Sequence, residues 1–479
     1  MVLSSHLLIL TNGKVWTGDG FAEGLAIEGN RIVAVGAAAS GIDLRGRLVV
    51  PGFIDNHTHF IDGGMQLSRV QLRDAATPEE FARRIAAHEA PWVTGGGWDH
   101  TIWSPPALPT RRLIDGVDRP VFVSRLDMHM ALANSLALEL AGITRDTPDP
   151  PGGTIVRDDR GDPTGVLKDN AMALVERVIP RATLVERVAA ARAGLAEAAR
   201  FGVTAFCDMS GADAHEDLHA YESLGDELTA RVTLFAPILG GRFGAPGLKG
   251  FADGSLGSST AAFFEPYTDD PSNRGLLMES MSDGRMRAAV AAADGLQVAL
   301  HAIGDRANDE VLKIFESMPK KRFRIEHAQH LNPDLIQRFA DAGVIASMQP
   351  YHAEDDGRWM EGKIGADRVK WAYAFRALLD AGVTVTFGSD WTVAPLNPLL
   401  GVYAAVTRQV SVAEALRCYT TNNAYAMHRE NEIGRIAPGM LADIVVLSED
   451  LFTIPPETIP NVKVDFTIFD GKTIYERRK

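Results

Sequence analysis

Between residues 50 and 387 the chain alternates short β-rich runs with helical ones. Eight candidate strands can be counted, at 50–55, 203–208, 231–237, 247–252, 296–300, 323–326, 344–348 and 383–387. Helices fit between several of them, at 182–200, 305–317, 333–342 and 366–381. The third starts after Asn332, a good N-cap, and the fourth stops at Gly382, a good helix end. This rhythm calls for parallel strands joined by helical crossovers. Eight such units make an α/β fold of the (β/α)8 TIM barrel type, which carries its active site at the C-terminal ends of the strands.

The two chain ends read differently. Residues 7–10 are apolar and precede the turn pair Asn12-Gly13, and 25–27 and 31–35 flank Gly29-Asn30, a hairpin signal. Residues 442–447 and 464–469 are also β-rich. Neither end has enough apolar residues to fold alone. Residues 1–50 and 431–479 are therefore expected to pair into one small β-sandwich, leaving 51–430 for the barrel. About 140 residues separate the first two barrel strands, too many for a bare loop. That segment, about 61–200, has signals of its own. Thr77, Pro78 and Glu80 open a helix, 121–125 is β-like, and Gly161 marks a hairpin. It reads as an insertion over the barrel mouth.

Composition narrows the class. With 46% hydrophobic and 23% charged residues, the chain is of ordinary globular type. A net charge of −14 argues against non-specific nucleic-acid binding and against docking on an anionic membrane. The expected partner is a small-molecule substrate. Two cysteines, Cys207 and Cys418, provide neither a disulfide framework nor a Cys-type zinc site. Cys207 lies in an apolar run and reads as a buried, inert thiol. The N-terminal apolar run lacks a basic start and is too short for a signal peptide or a membrane span, so a cytoplasmic protein is expected.

Candidate metal ligands sit where predicted strands end. His57 and His59 follow strand one, and in extended backbone residues two apart face the same side, so both rings can reach one ion. Lys249 lies in strand four, His301 and His327 end strands five and six, and Asp390 follows strand eight. Taken singly, each has an ordinary structural explanation. Four histidines and an aspartate on one face of a barrel have none in common.

These stretches resemble the amidohydrolase superfamily, in its metal-dependent amidohydrolase 3, or YtcJ-like, branch. The resemblance covers nearly the whole chain and rests on residues 51–59, 248–261, 300–309, 324–330, 348–352 and 387–391, with Asp127-Met128-His129 and the tail 434–443. It implies a divalent-metal site, most simply zinc, with one or two ions per chain. In the binuclear form His57, His59 and Asp390 hold one ion and His301 and His327 the other, bridged by Lys249 as an N-carboxylated lysine. A hydroxide activated between the ions attacks the substrate, and Asp390 acts as general acid and base. His352, after strand seven, or the second ion polarises the substrate carbonyl. Trp98, Asp99, His129 and Trp391 are candidate substrate contacts, with core packing the alternative for both tryptophans. Lys168 is a weaker candidate for the special lysine. The Gly95-Gly96-Gly97 run before Trp98 reads as a flexible approach to the site.

The implied activity is hydrolysis of a non-peptide C–N bond in an amide, N-acyl, N-formyl or cyclic amide substrate. A deaminase of amino-heterocycles, an esterase or lactonase, and a non-enzymatic relative are the alternatives. Lys249 argues against the deaminase, and retention of every ligand argues against a dead relative. The family analogy also suggests a homodimer.

Overall fold

A computed structural model describes residues 7–36, 40–126, 128, 130–241, 244–319 and 321–478. The chain divides into two compact units, residues 1–60 with 194–479, and residues 61–193.

The first unit holds the barrel. Its strands are β1 (Phe53–Thr58), β2 (Val203–Met209), β3 (Arg231–Pro237), β4 (Gly247–Phe251), β5 (Gln297–Ala302), β6 (Arg324–His327), β7 (Ile345–Met348) and β8 (Val385–Phe387). They form one sheet in sequence order, every neighbouring pair parallel. All residues of β1, β2, β6, β7 and β8 are buried, as expected for strands covered on both faces. The seam between β8 and β1 is closed by few backbone bonds. Thr58 and Trp391 form a parallel bridge, and Asn56 Nδ2 donates to Thr386 Oγ1 at 2.7 Å. Below them the buried amide of Asn423 donates to Ile54 O and Phe387 O at 2.5 and 2.7 Å and accepts from Phe387 N at 3.2 Å.

The same unit contains both chain ends. One sheet runs Arg31–Val35, Leu25–Glu28, Leu7–Thr11, Ile42–Asp43. The other runs Lys472–Glu476, Val464–Phe469, Ile444–Leu447, Leu48–Pro51, Lys14–Trp16, Phe21–Ala22. Leu10, Leu25, Ile27, Ile32, Val49, Ile444, Val446 and Ile468, contributed by the two sheets, pack into one core. This is the small β-sandwich, built from both ends of the chain.

Two elements differ from the sequence reading. The expected first barrel strand, 50–55, is split at Gly52. Leu48–Pro51 pairs with Ile444–Leu447 and Lys14–Trp16 in the terminal sheet, and only Phe53–Thr58 enters the barrel. A Cβ on Gly52 would lie 2.1 Å from Thr204 Oγ1, so the crossing from one sheet to the other needs glycine. The expected helix 366–381 is two short helices, Ala366–Val369 and Phe375–Asp380. Between them Tyr373 turns to φ 51°, its N–H bonds Gln329 O at 2.7 Å, and Ala372 bridges His330. Pairing with the chain after β6 overrides local helix propensity.

The second unit is a six-stranded sheet in the order Gly153–Arg157, Pro163–Asp169, Met130–Ala133, Val121–Arg125, Val93–Trp98, Val70–Gln71. Helix Pro78–Ala87 packs Phe81 and Ile85 into its core, and Thr77 caps it by accepting from Glu80 N at 3.1 Å. Gly95 and Gly96 are not a flexible approach. They lie within a strand at φ 109° and 126°, and their Cβ atoms would meet Val70 O at 2.8 Å and Ser124 O at 2.3 Å. Glycine here lets three strands pack closely.

Candidate metal centre

The C-terminal ends of β1, β5 and β6 and the turn after β8 bring four imidazoles and one carboxylate together. Ring centroids of His57 and His59 lie 5.8 Å apart, those of His57 and His327 4.9 Å, and those of His301 and His327 4.5 Å. Asp390 stands among them. Its Oδ1 is 3.5 Å from His57 Nε2 and 3.4 Å from His59 Nε2. Donor atoms of His57, His327 and Asp390 all fall within 4.8 Å of one another. This tightest set takes members from both of the ion sites implied by the resemblance. Lys249 enters from β4, fully buried, with Nζ 3.4 Å from His57 Nε2 and 5.1 Å from the centre of the Phe251 ring.

Backbone geometry fixes Asp390. The buried carboxylate of Asp55 accepts from His57 N at 3.2 Å and from Ser389 N at 2.9 Å, tying β1 to the turn after β8. Asp390 N then donates to His57 O at 2.7 Å, and His59 N to Trp391 O at 2.5 Å. Asp390 sits at φ 56° and His327 at φ 73°, left-handed conformations that non-glycine residues seldom take and that cluster at functional sites.

Each buried ring is held from behind. His57 Nδ1 meets Glu326 Oε2 at 2.5 Å, His327 Nδ1 meets Gln349 Oε1 at 2.7 Å, and His301 Nε2 meets Gly254 O at 3.0 Å. These partners are acceptors, so the ring nitrogens facing them carry the protons. That leaves the lone pairs on His57 Nε2, His327 Nε2 and His301 Nδ1.

Electrostatics favours a ligand set. Burial, reinforced by the nearby Lys249 ammonium, holds His57 down to about 4 and His301 to about 3. Burial and the neighbouring His301 hold His327 well below the ordinary imidazole range. All three rings are therefore neutral at pH 7. Burial alone would raise Asp390, but the surrounding histidines hold it well below the usual carboxylate range, so it is ionised. Burial lowers Lys249 to about 8. Neutral nitrogens and an anionic oxygen are the forms that bind a divalent cation. Two ligands each about 2.1 Å from a tetrahedral ion stand about 3.4 Å apart, and the gaps from Asp390 Oδ1 to His57 and His59 match this spacing. The residues present fit a zinc-like ion.

The other candidates are placed as follows. His352 begins the short helix His352–Asp356, with Nε2 3.9 Å from Asp390 Oδ2 and its ring nearly parallel to that of His327 at 6.4 Å. Trp391 is buried, with its ring edge-on to Phe60 at 5.6 Å. Trp98 is fully buried in the core of the second unit, its indole N–H bonded to Val123 O at 2.9 Å. The Trp98 ring thus fills a core rather than lining a pocket, which corrects the substrate-contact expectation for that residue. Asp99 caps the turn His100–Ile102 and pairs with Arg125 at 3.3 Å. Lys168 lies on strand Pro163–Asp169, paired with Met130 and Thr154. His129, with Asp127, lies outside the described residues.

Sequence reasoning missed Glu326 and Arg324. Both are completely buried, and Arg324 grips the Glu326 carboxylate through Nε and Nη2 at 2.8 and 3.1 Å. The available signal was two opposite charges two residues apart on a strand otherwise apolar up to its terminal ligand. That spacing puts both on the same face.

Comparison with known proteins accords with this geometry. The Amidohydrolase family profile matches residues 40–475. The chain is 37% identical to Protein LONG AFTER FAR-RED 3 of Arabidopsis thaliana, over 98% of this chain and 91% of that one. It is 34% identical to the YtcJ protein of Bacillus subtilis, over 91% and 90%. It is 28% identical to the N-substituted formamide deformylase of Arthrobacter pascens, over 98% of both chains. Among solved structures, an uncharacterized metal-dependent hydrolase from Pyrococcus horikoshii superposes with a TM-score of 0.79 at 29% identity, covering 94% of this chain and 99% of that one. The fold and the strand-end site thus define a metal-dependent hydrolase. The chain belongs to the Amidohydrolase family, in its YtcJ-like branch. No helix among the described residues is long and apolar enough to cross a membrane.

Proposed function

We propose that this enzyme hydrolyses a non-peptide C–N bond of a small molecule, in an amide, N-formyl, N-acyl or cyclic amide group. The observation that carries the reading is the convergence of His57, His59, His301, His327 and Asp390 on one buried centre, with Lys249 against it. The N-substituted formamide deformylase is named for such a bond, and its likeness extends over 98% of both chains.

His57, His59, His301, His327 and Asp390 would hold one or two divalent ions, most simply zinc. When bound, the metal supplies Lewis acidity and lowers the pKa of a water molecule beside it. Asp390 takes up the proton released by the attacking water and returns it to the leaving nitrogen. Its buried carboxylate, ionised at rest, suits the first of these transfers. His352 Nε2, 3.9 Å from Asp390 Oδ2, is placed to donate to the carbonyl oxygen as charge develops there. Lys249, as an N-carboxylated lysine, would be a further ligand. Supporting this, its amine is buried, no carboxylate among the described residues is in ion-pair contact with it, and burial favours the neutral form that captures CO2.

The test is a substrate panel on zinc-loaded protein. Release of formate or acetate from N-formyl or N-acetyl amines, or ring opening of a cyclic amide, is the expected result. Turnover confined to ammonia release from amino-heterocycles, or to esters, would overturn it.

A further inference from the structure

Of the three rings held from behind, His57 alone has a carboxylate at close hydrogen-bonding distance, with Glu326 Oε2 2.5 Å from its Nδ1. His327 leans on the neutral Gln349 amide, and His301 leans on the Gly254 carbonyl at 3.0 Å, with the Asp253 carboxylate farther off at 3.5 Å. Glu326 is wholly buried, where an ionised carboxylate is costly unless it is paired. The Arg324 guanidinium supplies the pair, and its remaining donors reach Asn56 O at 2.6 Å, Asn56 Oδ1 at 3.1 Å and Ser347 Oγ at 3.2 Å. An Arg–Glu pair that served the fold alone would be complete at that point. Glu326 Oε2 instead also accepts from Ser347 Oγ at 2.7 Å and faces His57 Nδ1 at 2.5 Å. The imidazole is left with one free nitrogen, and that nitrogen faces Lys249 Nζ and Asp390 Oδ1 at 3.4 and 3.5 Å.

We propose that Glu326 is a positioning residue for the metal centre. By accepting the His57 Nδ1 proton it fixes the tautomer and the ring plane, and it makes Nε2 a stronger donor to the ion. Arg324 and Ser347 hold the carboxylate in line. Glu326 touches neither metal nor substrate and acts through His57. This inference rests on the reading of the strand-end cluster as a metal centre.

The test measures zinc affinity of the metal-free protein by competition with a chromogenic chelator, alongside its melting temperature without metal. Glu326→Gln keeps the shape and removes the charge. It is expected to weaken zinc binding by about 10- to 100-fold. Ser347→Ala, which loosens Glu326 but leaves it facing His57, is expected to weaken it less. A lower melting temperature with unchanged zinc affinity would make Glu326 purely structural and overturn the proposal. Should Glu326→Gln fail to fold, Glu326→Asp decides. It keeps the charge for Arg324 but withdraws the carboxylate from His57, so weakened binding supports the proposal and unchanged binding overturns it. Wild-type protein that binds no zinc would overturn the metal-centre reading itself. Normal wild-type binding matched by the Gln variant removes only the role of Glu326.

Discussion

In the proposed mechanism Asp390 has two roles, as ligand and as proton carrier, and it takes them from a left-handed backbone in the turn after β8. Asp390→Asn keeps the shape but cannot take up a proton. Turnover should fall by about 10³-fold in a steady-state assay at equal metal content. His330, three residues beyond His327, offers a separate check on the buried electrostatics. It is buried between Phe263 and Tyr373, neither ring nitrogen has a hydrogen-bond partner among the described residues, and burial lowers it to about 3. Its folded-state pKa lies below the unfolded value of about 6.5. The neutral form therefore contributes stability that is complete above that value and is lost as pH falls toward 3. His330→Phe, which leaves no polar group unpaired, should gain about 2 kcal/mol relative to wild type between pH 7.5 and pH 5, read from paired urea titrations. An unchanged difference would show that the ring protonates freely. The candidate ligand residues themselves were legible in sequence because they stand at strand ends within β-rich runs. Glu326 was not, since its partner His57 lies 269 residues away and no local pattern joins them. Trp98 was misread because a tryptophan beside three glycines looks the same whether it fills a core or lines a pocket.

At the scale of elements, the barrel depends on a seam that strand pairing alone does not close. Asn423, on the helix Thr421–Ala426, supplies an amide that stands in for the missing ladder between β1 and β8. Removing it leaves buried carbonyls unpaired. Asn423→Leu should cost about 3 kcal/mol in urea unfolding, more than an ordinary cavity-free surface change. A cost near zero would mean that the seam is held by other contacts. The regular parts of the barrel were readable because alternation and caps are local, as with Asn332 before Pro333–Ala342. The departures came from long-range contacts. Gly52 divides one apolar run between two sheets, and Tyr373 gives up helix to bond Gln329. Neither event leaves a mark in the local sequence.

At the scale of the molecule, the candidate metal centre lies in the unit formed by residues 1–60 and 194–479, with the sandwich made from both chain ends in the same unit. A bound ion would tie β1, β5, β6 and the turn after β8 together, so metal should stabilise that unit by mass action. Chelator treatment should lower its melting temperature and added zinc should restore it, followed by differential scanning calorimetry. The most direct measurement is metal content per chain, by mass spectrometry on protein purified without chelator, for wild type and His57→Ala. One or two divalent ions in the wild type, with a clear loss in the variant, is the result a strand-end metal centre requires. Wild-type protein that carries no metal, and takes none up when zinc is added back, would contradict it.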